Sequence, residues 1–294
     1  MLYPDFNELV TLKNLKFDFS PTSKRASHSS GLGSRNSPFR GQGLEFDSVR
    51  EYVPGDDIRN IDWRVTARTG SPHLKIFKAE REQQVLLCVD MNATMRFGTR
   101  KTFKSVQAAR AASLLGWWAI ANQERISACL FGDVPGGIEF FPPTRTKRTF
   151  STLLKRLSEP FVEEHQISLE DAFQAINRKA PSGSLVYVIS DFMEITQDFQ
   201  QQVSLNRLVK RCDVAFISIN DQADKSLYPV GILDFCGNDH TQIRIDTGNR
   251  SGKIAYEKLW SENRNKLYEM KFAMKIPLIE LTTESDIRQD LRKR

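Results

Sequence analysis

The sequence predicts an α/β protein with a doubly wound, mainly parallel sheet and helices on both faces. Three observations predict it. The run Val85-Leu86-Leu87-Cys88-Val89 is apolar without a break and ends in Asp90, as a strand buried on both faces does. A second such run, Leu185-Val186-Tyr187-Val188-Ile189, ends in Ser190-Asp191. From residue 85 onward strand-like and helix-like segments alternate, which calls for parallel strands joined by right-handed crossovers.

The elements follow in order. Leu9, Leu12 and Leu15 stand at helix-compatible spacing, so the lead-in holds a short helix. Residues 20–43 are rich in Ser, Gly, Pro and Arg, a loop composition. Residues 41–64 mix acidic, basic and aromatic side chains without a helical or strand period, and Pro54-Gly55-Asp56 marks a turn. His73-Leu74-Lys75-Ile76-Phe77-Lys78 alternates as a half-exposed strand does. After the strand at 85–89, residues 102–123 form an Ala-rich helix whose Trp117-Trp118 pair reads as core. Strands are expected at 126–131 and 138–141, the second stopped by Pro142-Pro143. A basic amphipathic helix covers 146–157. The next helix, 168–179, has Ser168 as its N-cap with Asp171 three residues on. Then come the strand at 185–189, a helix at 199–211, a strand at 214–219 and a turn-rich, β-like excursion at 222–254. A helix at 256–274, a strand at 277–281 and a closing helix at 285–293 end the chain. Residues 1–84 therefore read as an N-terminal extension and 85–294 as the main domain.

Composition excludes several classes. Hydrophobic and charged contents of 40% and 27% are those of a water-soluble globular chain. No apolar run approaches the roughly 20 residues that span a bilayer, and the first residues lack the order of a signal peptide. Cys88, Cys129, Cys212 and Cys236 have no metal-type spacing, and the first three lie in or beside apolar runs. They read as reduced core thiols of a cytoplasmic protein. Phosphate-binding glycine loops are lacking, which argues against a dinucleotide enzyme or a P-loop ATPase. The 42 basic and 36 acidic residues leave a net charge of +6. No acidic residue falls between Asp18 and Glu45, where Lys24, Arg25, Arg35 and Arg40 form a basic surface loop.

Two clusters carry chemistry. In an open parallel sheet, ligands sit beyond the carboxyl ends of the strands. Asp90-x-Asn92-x-Thr94 places a carboxylate, an amide oxygen and a hydroxyl on one such loop, hard oxygen donors suited to Mg²⁺. Were the two apolar strands neighbours, Asp191 would join Asp90 in one crevice. The bland alternative is a polar turn capping the next helix. The second cluster comprises Arg50, Asp56, Asp57, Arg59, Asp62 and Arg68, residue types suited to bidentate Arg–carboxylate pairing. No Ser, Cys or His nucleophile accompanies it, so it reads as a salt-bridged girdle tying the N-terminal region to the main domain, with Tyr52 and Trp63 as apolar anchors.

The run from Gly43-Leu44-Glu45-Phe46 through Arg50-Glu51-Tyr52-Val53-Pro54-Gly55-Asp56-Asp57-Ile58-Arg59-Asn60-Ile61-Asp62-Trp63 to Ala67-Arg68 closely resembles one bacterial family. Glu80, the Asp90 strand, Phe97-Gly98 and Ile189-Ser190-Asp191-Phe192 extend the likeness from about residue 40 onward. It is the domain-of-unknown-function family fifty-eight, whose members are von Willebrand factor A-like and often encoded beside MoxR-type AAA+ ATPases. The resemblance implies a von Willebrand factor A-like sheet with a metal-ion-dependent adhesion site, in which Mg²⁺ is completed by a partner's carboxylate. Carried onto this chain, the site comprises Asp90, Asn92, Thr94 and Asp191. The family's loop threonine falls on Ile167, and Ser168 supplies its hydroxyl only if the loop shifts. The implied function is protein binding without turnover, the implied partner a MoxR-type ATPase or its client, and the implied process assembly or maturation of other proteins.

Two other classes compete. A haloacid-dehalogenase-type phosphatase would use Asp90 as nucleophile, but its second acid is replaced by Asn92, which cannot donate the proton. A nucleic-acid-binding protein would use the basic loop at 19–43 and the helix bearing Lys147, Arg148, Lys155 and Arg156. A solvated basic face accounts for both stretches, and no nucleic-acid partner is expected.

Overall fold

A computed structural model describes residues 3–15, 40–78, 84–159, 165–193, 195, 202–236 and 242–291. Most of the basic loop, Glu80 and the first residues of the helix expected at 199–211 lie outside that set. The chain divides into a larger unit, residues 1–24 and 84–294, and a smaller one, residues 25–83.

In the larger unit the elements are α1 (Phe6–Thr11), β3 (Gln84–Met91), α3 (Lys104–Ala121), β4 (Arg125–Gly132), β5 (Ile138–Thr144), α4 (Lys147–Ser158) and α5 (Leu169–Lys179). They continue with β6 (Leu185–Ser190), α6 (Val203–Arg211), β7 (Asp213–Asn220), α7 (Gln222–Lys225), β8 (Ile232–Cys236), β9 (Gln242–Asp246), α8 (Arg250–Met274), β10 (Leu278–Thr282) and α9 (Ile287–Asp290). The smaller unit holds β1 (Arg40–Glu51), α2 (Trp63–Thr69) and β2 (His73–Lys78).

Among the described residues six strands make the central sheet, in the order β10-β7-β6-β3-β4-β5. All neighbours are parallel except β4 and β5. Because strand side chains alternate, β3 feeds two cores. Val85, Leu87 and Val89 pack with α3, α4 and α9 on one face, and Leu86 and Cys88 with α5, α6 and α8 on the other. The fold is thus the doubly wound α/β sheet that the apolar runs predict. Its strand order reverses at β3, whose neighbours are β4 and β6, so the crevice at the carboxyl ends of β3 and β6 is the topological switch point.

Close helix packing depends on Gly116 of α3. A Cβ there would strike the Phe150 ring of α4 and come within 2.8 Å of Ile126 on β4. Among the described residues no helix is long and apolar enough to cross a membrane.

Several expectations need correction. The boundary at residue 84 misplaces the first helix, because α1 belongs to the larger unit. Leu9 is fully buried, its carbonyl accepts from Ser113 Oγ and Trp117 Nε1 at 2.7 and 3.0 Å, and Glu8 pairs with Arg110 at 2.6 Å. Residues 40–51 form a strand despite their lack of period, paired antiparallel with β2 through an irregular register. Pro142-Pro143 does not stop β5, which runs on to Thr144. The register slips between Ala128 and Ile126, and prolines are tolerated on edge strands and at such irregularities. The closing helix shrinks to α9.

The girdle residues lie in the smaller unit, and their described pairs are local. Arg50 grips Asp56 through two bonds of 2.8 and 2.6 Å, and Asp56 also accepts from Val53 N–H at 2.9 Å, closing the Pro54-Gly55 turn. Asp57 pairs with Arg59 two residues on, at 2.8 Å. Asp62 caps α2 by accepting from Arg64 and Val65 N–H and lies 3.8 Å from Lys75. Arg68 is exposed in the last turn of α2. Trp63 is 71% exposed, so it does not serve as the apolar anchor expected of it. Exposed pairs of this kind stabilise little; these hold turn and helix-cap geometry.

Candidate functional site

The crevice is built on the pairing of β3 with β6, which sets Val89 beside Ile189 and brings the two strand ends together. Asp90, at the end of β3, is buried. Its Oδ1 accepts from Asn92 N–H at 2.9 Å, and its Oδ2 accepts from Ser190 Oγ at 2.6 Å. Ser190 Oγ in turn accepts from Phe192 N–H at 3.0 Å. Phe192 sits in the left-handed region at φ 55°, an uncommon conformation for a bulky residue, and packs on Phe216 with ring centres 4.8 Å apart.

Asn92 is committed to the backbone. Its Nδ2 donates to the Ile167 carbonyl and its Oδ1 accepts from Ile167 N–H, both at 3.0 Å. Two glycines with positive φ make room. A Cβ on Gly132 (φ +112°) would collide with the Asn92 backbone nitrogen, and one on Gly137 (φ +75°) would lie 2.8 Å from Ile167 Cδ1. Thr94 lies half-buried in a 3-10 turn, Ala93–Met95. Ser168 is the N-cap of α5, as its spacing predicts. Its Oγ accepts from Asp171 N–H at 3.1 Å and donates to the Asp171 carboxylate at 2.7 Å.

Asp191 completes the crevice and carries a partner that the sequence did not reveal. Its Oδ1 accepts from Met193 N–H at 3.1 Å, while its Oδ2 receives the Lys104 ammonium at 2.7 Å. Lys104 is only 2% exposed and reaches Asp224 Oδ1 as well, at 3.3 Å. Its ammonium also lies 5.6 Å from the centre of the Phe97 ring, within cation–π range. Burial alone would depress the Lys104 pKa, but Asp191 and Asp224 outweigh it and hold the ammonium above the usual lysine value. Burial pushes the Asp224 carboxyl up, partly offset by Lys104.

The other aspartates at this edge are likewise held. Asp133, after β4, pairs with Arg96 at 2.6 Å and accepts from His165 N–H at 2.8 Å. Asp221, after β7, accepts from the hydroxyls of Thr99 and Thr283, both at 2.6 Å, and from Ala223 N–H at 2.9 Å. Burial opposes its ionisation, yet those hydrogen bonds win and its pKa lies below the usual carboxylate value.

The residues present do not fit a divalent cation in this arrangement. Among the described residues no three His, Cys, Asp or Glu side chains gather as a metal site. Four of the five donors expected from the resemblance are engaged elsewhere: Asp90 by Asn92 N–H and Ser190, Asn92 on Ile167, Ser168 on the α5 cap and Asp191 on Lys104. The buried thiols are poor nucleophiles. Burial raises the Cys88 thiol well above its ordinary value and pushes Cys129 up to about 12.

Sequence reasoning considered β3 and β6, the strands that end in Asp90 and Asp191, as neighbours, and they do pair in the sheet; it also identified Ser168 as a cap. It missed Lys104. The available signal was a lysine at the first position of a helix, where the macrodipole disfavours a cation and an acidic residue is commoner.

The chain is 31% identical over 194 residues to uncharacterized proteins of Mycobacterium tuberculosis (strain H37Rv) and Mycobacterium bovis. That alignment covers 65% of this chain and 59% of each relative, so the match reaches little over half of their length. Among solved structures, the conserved hypothetical protein BatB from Bacteroides thetaiotaomicron is 11% identical with a TM-score of 0.48, covering 70% of this chain and 94% of that one. A von Willebrand factor type A protein from Catenulispora acidiphila is 10% identical with a TM-score of 0.43, covering 74% of this chain and 42% of that one. The profile of the family described as protein of unknown function DUF58 matches residues 48–266, most of the sequence, and the chain belongs to that family.

Proposed function

We propose that this chain is a non-enzymatic, von Willebrand factor A-like interaction module that works in the cytoplasm with a MoxR-type AAA+ ATPase. It binds the ATPase or its client during assembly or maturation of other proteins. The observation that carries this reading is the state of the switch-point crevice. Asp90 and Asp191 are held by hydrogen bonds from the chain's own groups, and the buried thiols beneath are far from reactive. Such a crevice is built to keep a fixed surface rather than to move protons or form covalent intermediates. On its rim Thr94 is half-buried and Ser168 exposed. Buried, unpaired Cys88, Cys129 and Cys212 fit a reducing compartment.

Affinity purification of the full-length chain from native cells, at low salt and with nucleotide present, tests the proposal. An AAA+ ATPase is expected among the recovered proteins, and Thr94→Arg, which places a bulky cation on the rim, is expected to reduce its recovery. Absence of the ATPase, or release of phosphate from an aryl phosphate by wild type but not by Asp90→Ala, would overturn it.

A further inference from the structure

We propose that the Lys104 ammonium is the resident cation of the switch-point crevice, so that this chain holds its carboxyl-edge loops in place without a divalent metal.

Lys104 opens α3, and its N–H donates to the Phe97 carbonyl at 2.8 Å, which ties the start of the helix to the loop that leaves Asp90. From there the side chain reaches inward rather than to solvent. Its ammonium lies 2.7 Å from Asp191, at the end of β6, and 3.3 Å from Asp224, in α7 beyond the end of β7. One buried cation thus bridges the segment after β6 and the one after β7 from a helix packed on β3. A cation at a helix N-terminus is opposed by the macrodipole, and a buried ammonium is strongly disfavoured unless carboxylates surround it. Lys104 therefore stands here because the two carboxylates hold it.

A divalent ion would have to compete with this ammonium for Asp191, and would leave the buried lysine only Asp224, the more distant of its two carboxylates. Nor would it find the other ligands free. Asn92 and Ile167 lock each other's polar groups, and Ser168 is closed on Asp171. Compensation by lysine also differs in kind from compensation by metal: it is covalently part of the chain, cannot be stripped by a chelator and does not vary with ion concentration. Lys104 plays this part within the chain itself, whichever partner the chain binds.

The test uses the full-length protein. Wild type is first treated with EDTA, then titrated with Mg²⁺ and with Mn²⁺ by calorimetry, with thermal melting in parallel. No stoichiometric heat and an unchanged Tm are expected. Lys104→Ala is expected to melt well below wild type, and the triple variant Lys104→Ala/Asp191→Asn/Asp224→Asn to recover part of the loss, because it removes the unpaired carboxylates together with the cation. Stoichiometric binding of either ion to wild type that is lost in Asp191→Asn would overturn the proposal. So would a Lys104→Ala protein with the Tm of wild type. Should Lys104→Ala fail to accumulate, the wild-type titration and Asp191→Asn decide the matter on their own.

Discussion

Asn92 and Ile167 hold each other through a closed pair of hydrogen bonds, amide to carbonyl and N–H to amide oxygen, both 3.0 Å long. Ile167 occupies the position where the family resemblance expects a threonine hydroxyl. Its side chain fills the space above Gly137, and its backbone does the polar work. An element that would otherwise present a ligand is here a strut between the loop after β3 and the start of α5.

Replacing Asn92 with alanine removes both bonds and leaves the Ile167 N–H and carbonyl without their partner. A destabilisation of about 1–3 kcal/mol is expected for a polar group deprived of its mate, read as a lower midpoint in urea. Asn92→Asp keeps the acceptor and loses the donor, so it is expected to fall between wild type and Asn92→Ala. Equal midpoints for all three proteins would refute the strut.

Ser168→Ala separates capping from ligation. Loss of an N-cap costs about 1 kcal/mol, with no dependence on divalent ions. Denaturation of the variant with and without Mg²⁺ is expected to give the same offset from wild type in both. An offset that grows with Mg²⁺ would instead make Ser168 a ligand.

Gly116→Ala probes the contact between α3 and α4. The added methyl has no room against Phe150 and Ile126, and overpacking of a dense core typically costs about 1–3 kcal/mol. This runs against helix propensity, which favours alanine over glycine by about 1 kcal/mol. Net destabilisation in a thermal melt is the expected sign; a stabilised variant would mean that the two helices separate freely.

Asp221 gives the acid limb of stability. Its folded pKa lies below its unfolded value because hydroxyl and N–H donors favour the carboxylate over the opposing effect of burial. Its contribution is therefore present above the ordinary carboxylate value of about 3.9 and is lost as the pH falls through the lower folded value. Asp221→Asn removes that contribution. The difference in stability between wild type and variant is expected to be largest near neutrality and to shrink as the pH is taken below 4, as followed by urea titrations across that range.

Much of this was legible from residue order. Continuous apolar runs announced β3 and β6, and their acidic ends announced where the crevice would be. Ser168 and Asp171 announced a helix start through spacing that geometry makes specific. Less was legible wherever the decisive contact is remote in sequence. Lys104 meets Asp191 across 87 positions, and no local pattern marks a lysine as buried. Residues 40–51 form a strand whose acidic and basic residues give no alternating apolar signal in the sequence, and Trp63, large and aromatic, is exposed where it was expected to anchor the girdle. Leu9 lies under α3 because a short apolar helix at the start of a chain can return to a core formed much later in the sequence.

The prolines of β5 have a consequence for how this protein meets others. Pro142 and Pro143 lie where β5 slips against β4, on the strand that ends the sheet. Neither can donate a backbone hydrogen bond, so an incoming strand would find a broken ladder there. This margin of the sheet resists being lengthened by a second copy or by an extended peptide, and recognition at that side must proceed through side chains and loops instead of backbone pairing.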